Sequence, residues 1–373
     1  MVVPTSTLVA SAALLAGIVF GAVAQRTRFC TMGALADMVF RQDYRRWRAW
    51  LLAIAVAMLG TQALHSTGVI DVYQSIYLRP QLGWLGAVLG GWLFGWGMTL
   101  AGGCGQRTLV HVGEGNLRAL IAAVTMGIWS YMTLRGLTGV LRVHLETATH
   151  VDLSRAGLAS QSIVDLLALW TAMPGLLVRW LVTAASAGVL LWYCFRDIAF
   201  RTSCRDIVGG VVVGLLIPAG WLITGVLGLD VFEPTPLASF TFVAPVGESL
   251  QYLMTFTGAT VHFGIAAVGG VVLGAWVMAL LRREFRVEGF RDTPELLRHL
   301  VGGACMGVGG VLAFGCTIGQ GITGLATLAL GSVLAWLALL VGGYCGLAYL
   351  QHGSVRAVCQ HLGSRKVARQ GVN

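Results

Sequence analysis

Gly302 to Thr317, GGACMGVGGVLAFGCT, lies over Gly90 to Gly105, GGWLFGWGMTLAGGCG, when the chain is shifted by 212 positions. Gly90, Gly91, Gly95, Gly97, Leu100, Ala101, Gly103 and Cys104 recur without a gap as Gly302, Gly303, Gly307, Gly309, Leu312, Ala313, Gly315 and Cys316. Eight matches in sixteen positions exceed what a glycine-rich composition gives by accident, so the chain reads as an internal repeat. Each copy is a short apolar helix ending in Gly-Cys. The expectation is that the two cysteines face one another at the middle of a membrane.

Composition supports a membrane setting. The chain has 373 residues, of which 56% are hydrophobic and 11% charged, against about 25% charged in an ordinary soluble domain. Too few charges remain to cover an aqueous surface. The net charge of +9 comes almost wholly from arginine, Lys366 being the only lysine. Those arginines cluster between apolar runs, which reads as the positive-inside pattern and not as a nucleic-acid surface. The eight cysteines form no CxxC pair and no zinc-finger spacing, so no metal site and no cofactor are expected. Leu8 to Ala24 ends in an A-x-A but lacks a basic lead, so it reads as a retained first span.

Arginine placement then orients the spans. Leu8 to Ala24 precedes the run Arg41, Arg45, Arg46, Arg48, which places that loop in the cytoplasm and the N-terminus outside. Trp50 to Leu64 returns, so Gly83 to Leu100 starts from outside and breaks at AGGCG. Leu117 to Leu134 follows, then a polar loop over 142–160. Leu176 to Phe195, Ile207 to Leu227 (interrupted by Pro218) and Val261 to Leu281 are further spans, with a proline-rich external loop from Leu229 to Ser249. Arg282 to Arg298 is the strongest cytoplasmic signal, so the second copy starts from inside. Leu325 to Leu350 ends the spans, before a basic tail. The expected fold is an all-α polytopic membrane protein of about nine transmembrane helices with an inverted internal repeat. Within a single transmembrane transport domain the repeats cover 1–160 and 207–350, joined by a linking helix and loop over 161–206, with a cytoplasmic tail at 351–373. Opposed copies of a broken helix are the pattern of a transporter whose substrate sits between them.

The chemistry follows from the breaks. Each cysteine should precede a new helix whose free N–H groups and positive dipole end favour an anion. Thr317 or Thr323 would cap the second of these helices. A thiol is a weak, polarizable donor, suited to a terminal sulfur and poorly suited to a hard oxygen anion. With a pKa of about 8.5 it is mostly protonated at neutral pH and does not repel an anion. Cys104, Cys316, and Cys30 in the Arg28-Phe29-Cys30-Thr31 loop are therefore the candidate pathway residues, together with Gly103, Gly105, Gly315, Thr317 and Gln320. Arg28, Arg107, Glu114 and Glu248 are accessory candidates. Glu114 would pair with Arg107 or Arg118, or help a proton move with the anion, and Glu248 would cap the helix after it. The steps Gly86/Gly90, Gly91/Gly95 and Gly303/Gly307 read as close helix packing.

The stretches RFCTMGALADMVF, AGGCG with GEGNLRAL, GESLQYLMTFTG and FGCTIGQGITGLATLALGS resemble the YeeE/YedE family of sulfur-compound transporters. That resemblance implies an inner-membrane protein of about nine transmembrane helices with short re-entrant helices. It also implies uptake of thiosulfate past three cysteines, which fall on Cys30, Cys104 and Cys316, and a small cytoplasmic sulfurtransferase of the TusA type as partner. Gln106-Arg107 departs from the smaller residues expected there. Two other readings remain. One is an integral-membrane thiol or persulfide-forming enzyme, or a carrier of a selenium compound. The other is a metal permease, against which the lack of carboxylate and histidine clusters counts.

Overall fold

The computed structural model describes residues 4–230 and 235–353. The tail from 354 onward, with Arg356, Arg365, Lys366 and Arg369, lies outside the described residues, as do positions 231–234 of the proline-rich loop. Among the described residues nearly everything is helix. The chain runs α1 (Thr5–Thr27), α2 (Thr31–Ala36), α3 (Arg45–Ser66), α4 (Trp84–Leu100), α5 (Gly105–Gly113), α6 (Leu117–Arg135), α7 (Leu137–Thr149) and α8 (Ile163–Thr171). It continues through α9 (Gly175–Phe195), α10 (Ile198–Arg201), α11 (Cys204–Leu222), α12 (Val243–Met254), α13 (Phe263–Leu281), α14 (Thr293–Leu312) and α15 (Leu330–His352). A two-residue pairing of Gln81–Leu82 with Val151–Asp152 joins two loops at one end.

Eight helical stretches are long and apolar enough to cross a bilayer. α14 is a further long helix of 20 residues, set apart by a polar first turn that carries Glu295. Leucine, valine and tryptophan side chains such as Leu15, Leu181, Val189 and Trp192 stand exposed around the bundle, as a lipid-facing surface requires. Each backbone polar group inside that surface has to be satisfied within a helix, which is why helices dominate.

Three local features differ from the sequence reading. The polar stretch 142–160 is not all loop, because α7 extends to Thr149. Arg142 and Glu146 lie one turn apart there and pair at 3.2 Å, which supports a helix. Pro218 does not interrupt its span: α11 runs through it to Leu222 and is followed by a π-helical turn at Ile223–Leu227. The Pro218 ring is accommodated because it packs over Gly60, where a Cβ would fall 2.7 Å away. Finally, Val243–Met254 is helical where the proline-rich loop was expected to continue. Pro245 lies in the first turn of that helix, where a missing N–H costs nothing.

Packing partners come in exchangeable pairs. α1 packs most heavily on α13 and α11 on α3, while α4 packs on α15 and α14 on α6. α4 and α14, which carry the repeated glycine pattern, run antiparallel: Gly86 meets Leu312, Gly90 meets Gly309, and Gly97 meets Gly302. A Cβ on Gly90, Gly97, Gly302 or Gly309 would fall 2.6–2.8 Å from a neighbouring backbone atom. Only glycine permits that approach. Helices in lipid gain little from apolar burial against each other, so close backbone contact is what holds the seam.

Candidate functional site

Cys30 lies in the turn between α1 and α2. Arg28 ends α1 in the left-handed conformation, φ 54°, and Cys30 then caps α2, its sulfur accepting from Gly33 N–H at 3.4 Å. The turn is pinned from α3, where Arg46 donates to the Arg28 carbonyl at 2.6 Å and to Asp37 at 2.9 Å. Cys104 sits at the break after α4. Gly102 takes φ 72° there, a conformation glycine adopts without strain, and α5 begins at Gly105. Gln106 donates to the Phe29 carbonyl at 2.6 Å and so ties this break to the Cys30 turn.

These constraints bring two thiols together across 74 residues of sequence: Cys30 Sγ and Cys104 Sγ are 3.9 Å apart. The separation is a van der Waals contact of free thiols, about twice a disulfide length. Cys316 joins from the other half. A Cβ at Gly105 would lie 3.9 Å from Cys316 Cβ, so the first residue of α5 abuts the third cysteine. Cys316 accepts from Gly319 N–H at 3.4 Å, the same i+3 geometry as Cys30. It is followed by a π-helical turn at Gly319–Gly324, a form that recurs at functional sites. Gln320 donates to the Ala313 carbonyl at 2.5 Å across this break. Cys104 and Cys316 are fully buried and Cys30 nearly so.

Several buried polar atoms beside the cysteines have no hydrogen-bond partner in the protein: Thr31 Oγ1, Gln106 Oε1, Thr317 Oγ1 and Gln320 Oε1. Each such atom costs about 1–3 kcal/mol if left unpaired. Their position next to the thiols fits a passage that a polar guest or water satisfies. Thr317 therefore caps nothing, and Thr323 donates to the Phe240 carbonyl at 2.8 Å. Gly315 is tight, since a Cβ there would lie 3.0 Å from Gln320 N. Gly103 and Gly105 have ordinary clearance, 3.5 Å and 3.7 Å to their nearest neighbours.

The cysteine cluster lies between two openings at opposite ends of α4. One is a vestibule of about 470 Å³ with Cys30 in its wall, lined by Arg28, Arg46, Arg107, Arg283 and Arg286. Glu114 and Glu284 are its acidic residues. Glu114 faces Arg107 at 3.6 Å and His111 at 2.6 Å, whereas Arg118 pairs with Glu295 at 2.7 Å and Glu288 at 3.4 Å. The other opening is a cleft of about 80 Å³ that includes Arg79, Phe314, Gln320 and Ser332. Glu248 joins neither. It lies in the middle of α12, so it caps no helix start, and it pairs with His262 at 3.3 Å. Arg46, Arg283, Arg286, Thr31 and Gln106 were missed as site residues by sequence reasoning. The arginines were visible only as a topology signal.

The tie made by Gln106 gives a direct expectation. Gln106→Leu loses the bond to the Phe29 carbonyl and should slow oxidative cross-linking of Cys30 to Cys104 roughly tenfold, from about 1–3 kcal/mol of lost hydrogen bonding, while the protein stays folded. Cross-linking rate and thermal melting measured on the same sample check both halves.

A sequence model described as sulphur transport matches residues 26–345. The chain is 28% identical over 331 residues to the thiosulfate transporter TsuA of Escherichia coli K12, covering 83% of this chain and 85% of that protein. It is 27% identical over 319 residues to the thiosulfate transporter TsuA of Spirochaeta thermophila, covering 84% and 90%. A shorter stretch of 107 residues is 32% identical to the probable transporter YedE of Escherichia coli K12, covering 28% of this chain and 24% of that one.

Proposed function

Because this chain belongs to the sulphur-transport (YeeE/YedE) family, we propose that it takes up thiosulfate or a closely related sulfur anion through the thiol-lined passage between its two openings. The observation that carries this reading is the contact of Cys30 with Cys104 at 3.9 Å, with Cys316 beside Gly105 on the far side. The anion would pass from the cleft to Cys316, then Cys104, then Cys30, and leave through the arginine vestibule. At each step a neutral S–H would donate to the terminal sulfur, and the unpartnered hydroxyl and amide groups nearby would serve its oxygens. Weak contacts of this kind let the substrate depart, which transport requires.

The same proposal places the arginine-rich end in the cytoplasm and the N-terminus outside, in a bacterial inner membrane, by the positive-inside rule. It treats 1–160 and 207–350 as inverted repeats, supported by the exchangeable packing pairs and the antiparallel α4 and α14. A TusA-like sulfurtransferase would collect the sulfur at the vestibule mouth. Uptake of labelled thiosulfate into proteoliposomes, with sulfate and selenite as competitors, tests the substrate. Failure to accumulate label, or equal competition by sulfate, counts against it.

Glu114 bears on energy coupling. Burial raises its carboxyl, but the His111 ring and the Arg107 guanidinium outweigh burial and hold it below the usual carboxylate range. A depressed pKa means its ion-pair stabilisation is present above the unfolded value and is lost only as pH falls through the lower one. Glu114 therefore keeps its charge to a lower pH than an ordinary carboxylate does. Wild type and Glu114→Gln should show parallel uptake profiles between about pH 5 and 8. A profile that changes shape in the variant would instead assign a moving proton to Glu114.

A further inference from the structure

The arginines at the vestibule end of the bundle divide into two groups. Arg282 closes α13, and the turn after it brings Arg283 and Arg286 to the vestibule wall. Arg282 itself lines a separate groove of about 580 Å³, with Arg26 of α1 and Arg205 of α11. Val23, Thr27, Cys204 and Val208 complete that lining. Thr27 is buried and seats the end of α1 on α11, where a Cβ on Gly209 would lie 2.9 Å from Thr27 Oγ1.

Three guanidinium groups converge there with little to balance them. Arg26 and Arg205 are exposed, and neither side chain makes an ion pair or hydrogen bond among the described residues. Arg282 pairs with Glu284 at 3.1 Å, but Glu284 also accepts from Gln25 at 2.8 Å. Arg28, Arg46 and Arg282 repel Arg205 while Asp206 attracts it, and Asp206 already accepts from Ser203 at 2.6 Å. Cys204 and Arg205 open α11, whose positive dipole end adds to the same sign. Away from the arginines the surface turns apolar. Val19 and Val23 lie one turn apart on α1, and Cys204, Val208 and Leu215 share one stripe of α11. Val19, Val208 and Leu215 are exposed at 45%, 46% and 53%. Since α1 ends and α11 begins at the arginines, both stripes run from that end into the span.

We infer that this groove binds an anionic glycerophospholipid, its headgroup phosphate held by Arg26, Arg205 and Arg282 and an acyl chain laid along Val19, Val23 and Val208. Charge alone would suit a free phosphate, and the apolar stripes alone would suit any lipid. Their adjacency in one groove between membrane helices selects a lipid with a negative headgroup. The site is separate from the thiol passage and does not depend on which anion that passage carries.

Native mass spectrometry of the detergent-solubilised full chain, titrated with dioleoylphosphatidylglycerol, tests this. Each arginine at the headgroup contributes about fivefold in affinity, so the double variant Arg26→Gln, Arg205→Gln should bind the lipid about twenty-five-fold more weakly. The matched variant Arg291→Gln, Arg298→Gln removes the same charge from exposed positions outside the groove and should bind as wild type does. All four side chains are exposed, so both variants should fold, and melting curves in lipid-free detergent verify it. Cys204 gives a second readout without substitution, because it is an exposed free thiol in the groove wall. Phosphatidylglycerol at about ten times its Kd should slow maleimide labelling of Cys204 about tenfold, followed by peptide mass spectrometry. Dioleoylphosphatidylcholine and glycerophosphate should leave that rate unchanged. Equal protection by phosphatidylcholine overturns recognition of the headgroup charge, and protection by glycerophosphate makes this a free-anion site and overturns the lipid. Equal losses of phosphatidylglycerol binding in the two double variants reduce the effect to net charge and overturn the groove.

Discussion

Cys104→Ala should reduce labelled thiosulfate uptake in proteoliposomes by about ten- to a hundredfold, the loss expected when one hydrogen bond to a charged group worth about 1.5–3 kcal/mol disappears. The effect should be the largest of the three cysteines because of position. Cys104 touches Cys30 at 3.9 Å, and its neighbour Gly105 abuts Cys316, so its thiol would be the link between the two halves of the proposed passage. Folding should be little affected. Cys104 makes no side-chain cap for α5, and a single sulfur leaves a small void, unlike a leucine-to-alanine change. Cys104→Ser keeps a donor of similar shape and should retain part of the rate. The double variant Cys104→Ala, Cys316→Ala should be inactive, and normal uptake by it would sink the thiol pathway outright. Mass spectrometry of the wild-type protein after turnover separates a non-covalent passage from a persulfide-forming one. Unmodified thiols support the former, and a stable sulfur adduct on Cys30 or Cys104 the latter.

Why these cysteines meet was only partly legible in the sequence. The duplicated Gly-Cys segment located Cys104 and Cys316 at chain breaks, because glycine spacing and apolar runs are local signals. Cys30 has no such signal. The position 212 residues after it is Phe242, buried and apolar, so the repeat could not identify it; its arginine-flanked loop after the first span made it a candidate, and the resemblance supplied its role. Its contact with Cys104 depends on Gln106 reaching the Phe29 carbonyl and on Arg46 holding the turn, bonds between residues that no periodicity links. The helix spans were readable to within a few residues, as with Leu8–Ala24 inside the observed Thr5–Thr27. α12 was hidden because its first turn contains Pro245 and follows a proline-rich stretch, which reads as loop until the helix after it is seen. Arg283 and Arg286 were read for topology alone. Their place in the vestibule wall comes from the way the turn after α13 folds back, with Arg286 N–H bonding to the Glu114 carbonyl at 3.1 Å.

The glycine steps noticed in α4 and α14 are matched by another seam, between α1 and α13, and the larger structural effect is expected there. Gly17 and Gly21 on α1 face Gly270 and Gly274 on α13. A Cβ on any of the four would come within 3.0 Å of a carbonyl oxygen on the other helix, from Ala267, Val271, Leu14 and Ile18 respectively. No rotamer relieves a clash that starts at Cβ with backbone, so Gly274→Val must part the helices. Overpacking of this kind costs about 1–3 kcal/mol or more, and folded domains have only about 5–15 kcal/mol to lose. Gly274→Val should therefore lower the melting temperature strongly or prevent recovery of monodisperse protein in detergent. Gly188→Ala on the outward helix α9 is the matched control. Nothing lies within 4 Å of a Cβ there, and a compatible glycine-to-alanine change stabilises a helix by about 0.4–1 kcal/mol. A wild-type melting curve for Gly274→Val would refute the close approach. Gly21→Ala probes function more finely, because α1 leads directly into the Cys30 turn while α13 backs α5, with Gly113 packed against Val272 and Trp276. Prising α1 from α13 moves Cys30 away from Cys104. Uptake in Gly21→Ala should consequently fall by more than its loss of thermal stability accounts for, and a variant destabilised but transporting at the wild-type rate would uncouple the seam from the passage.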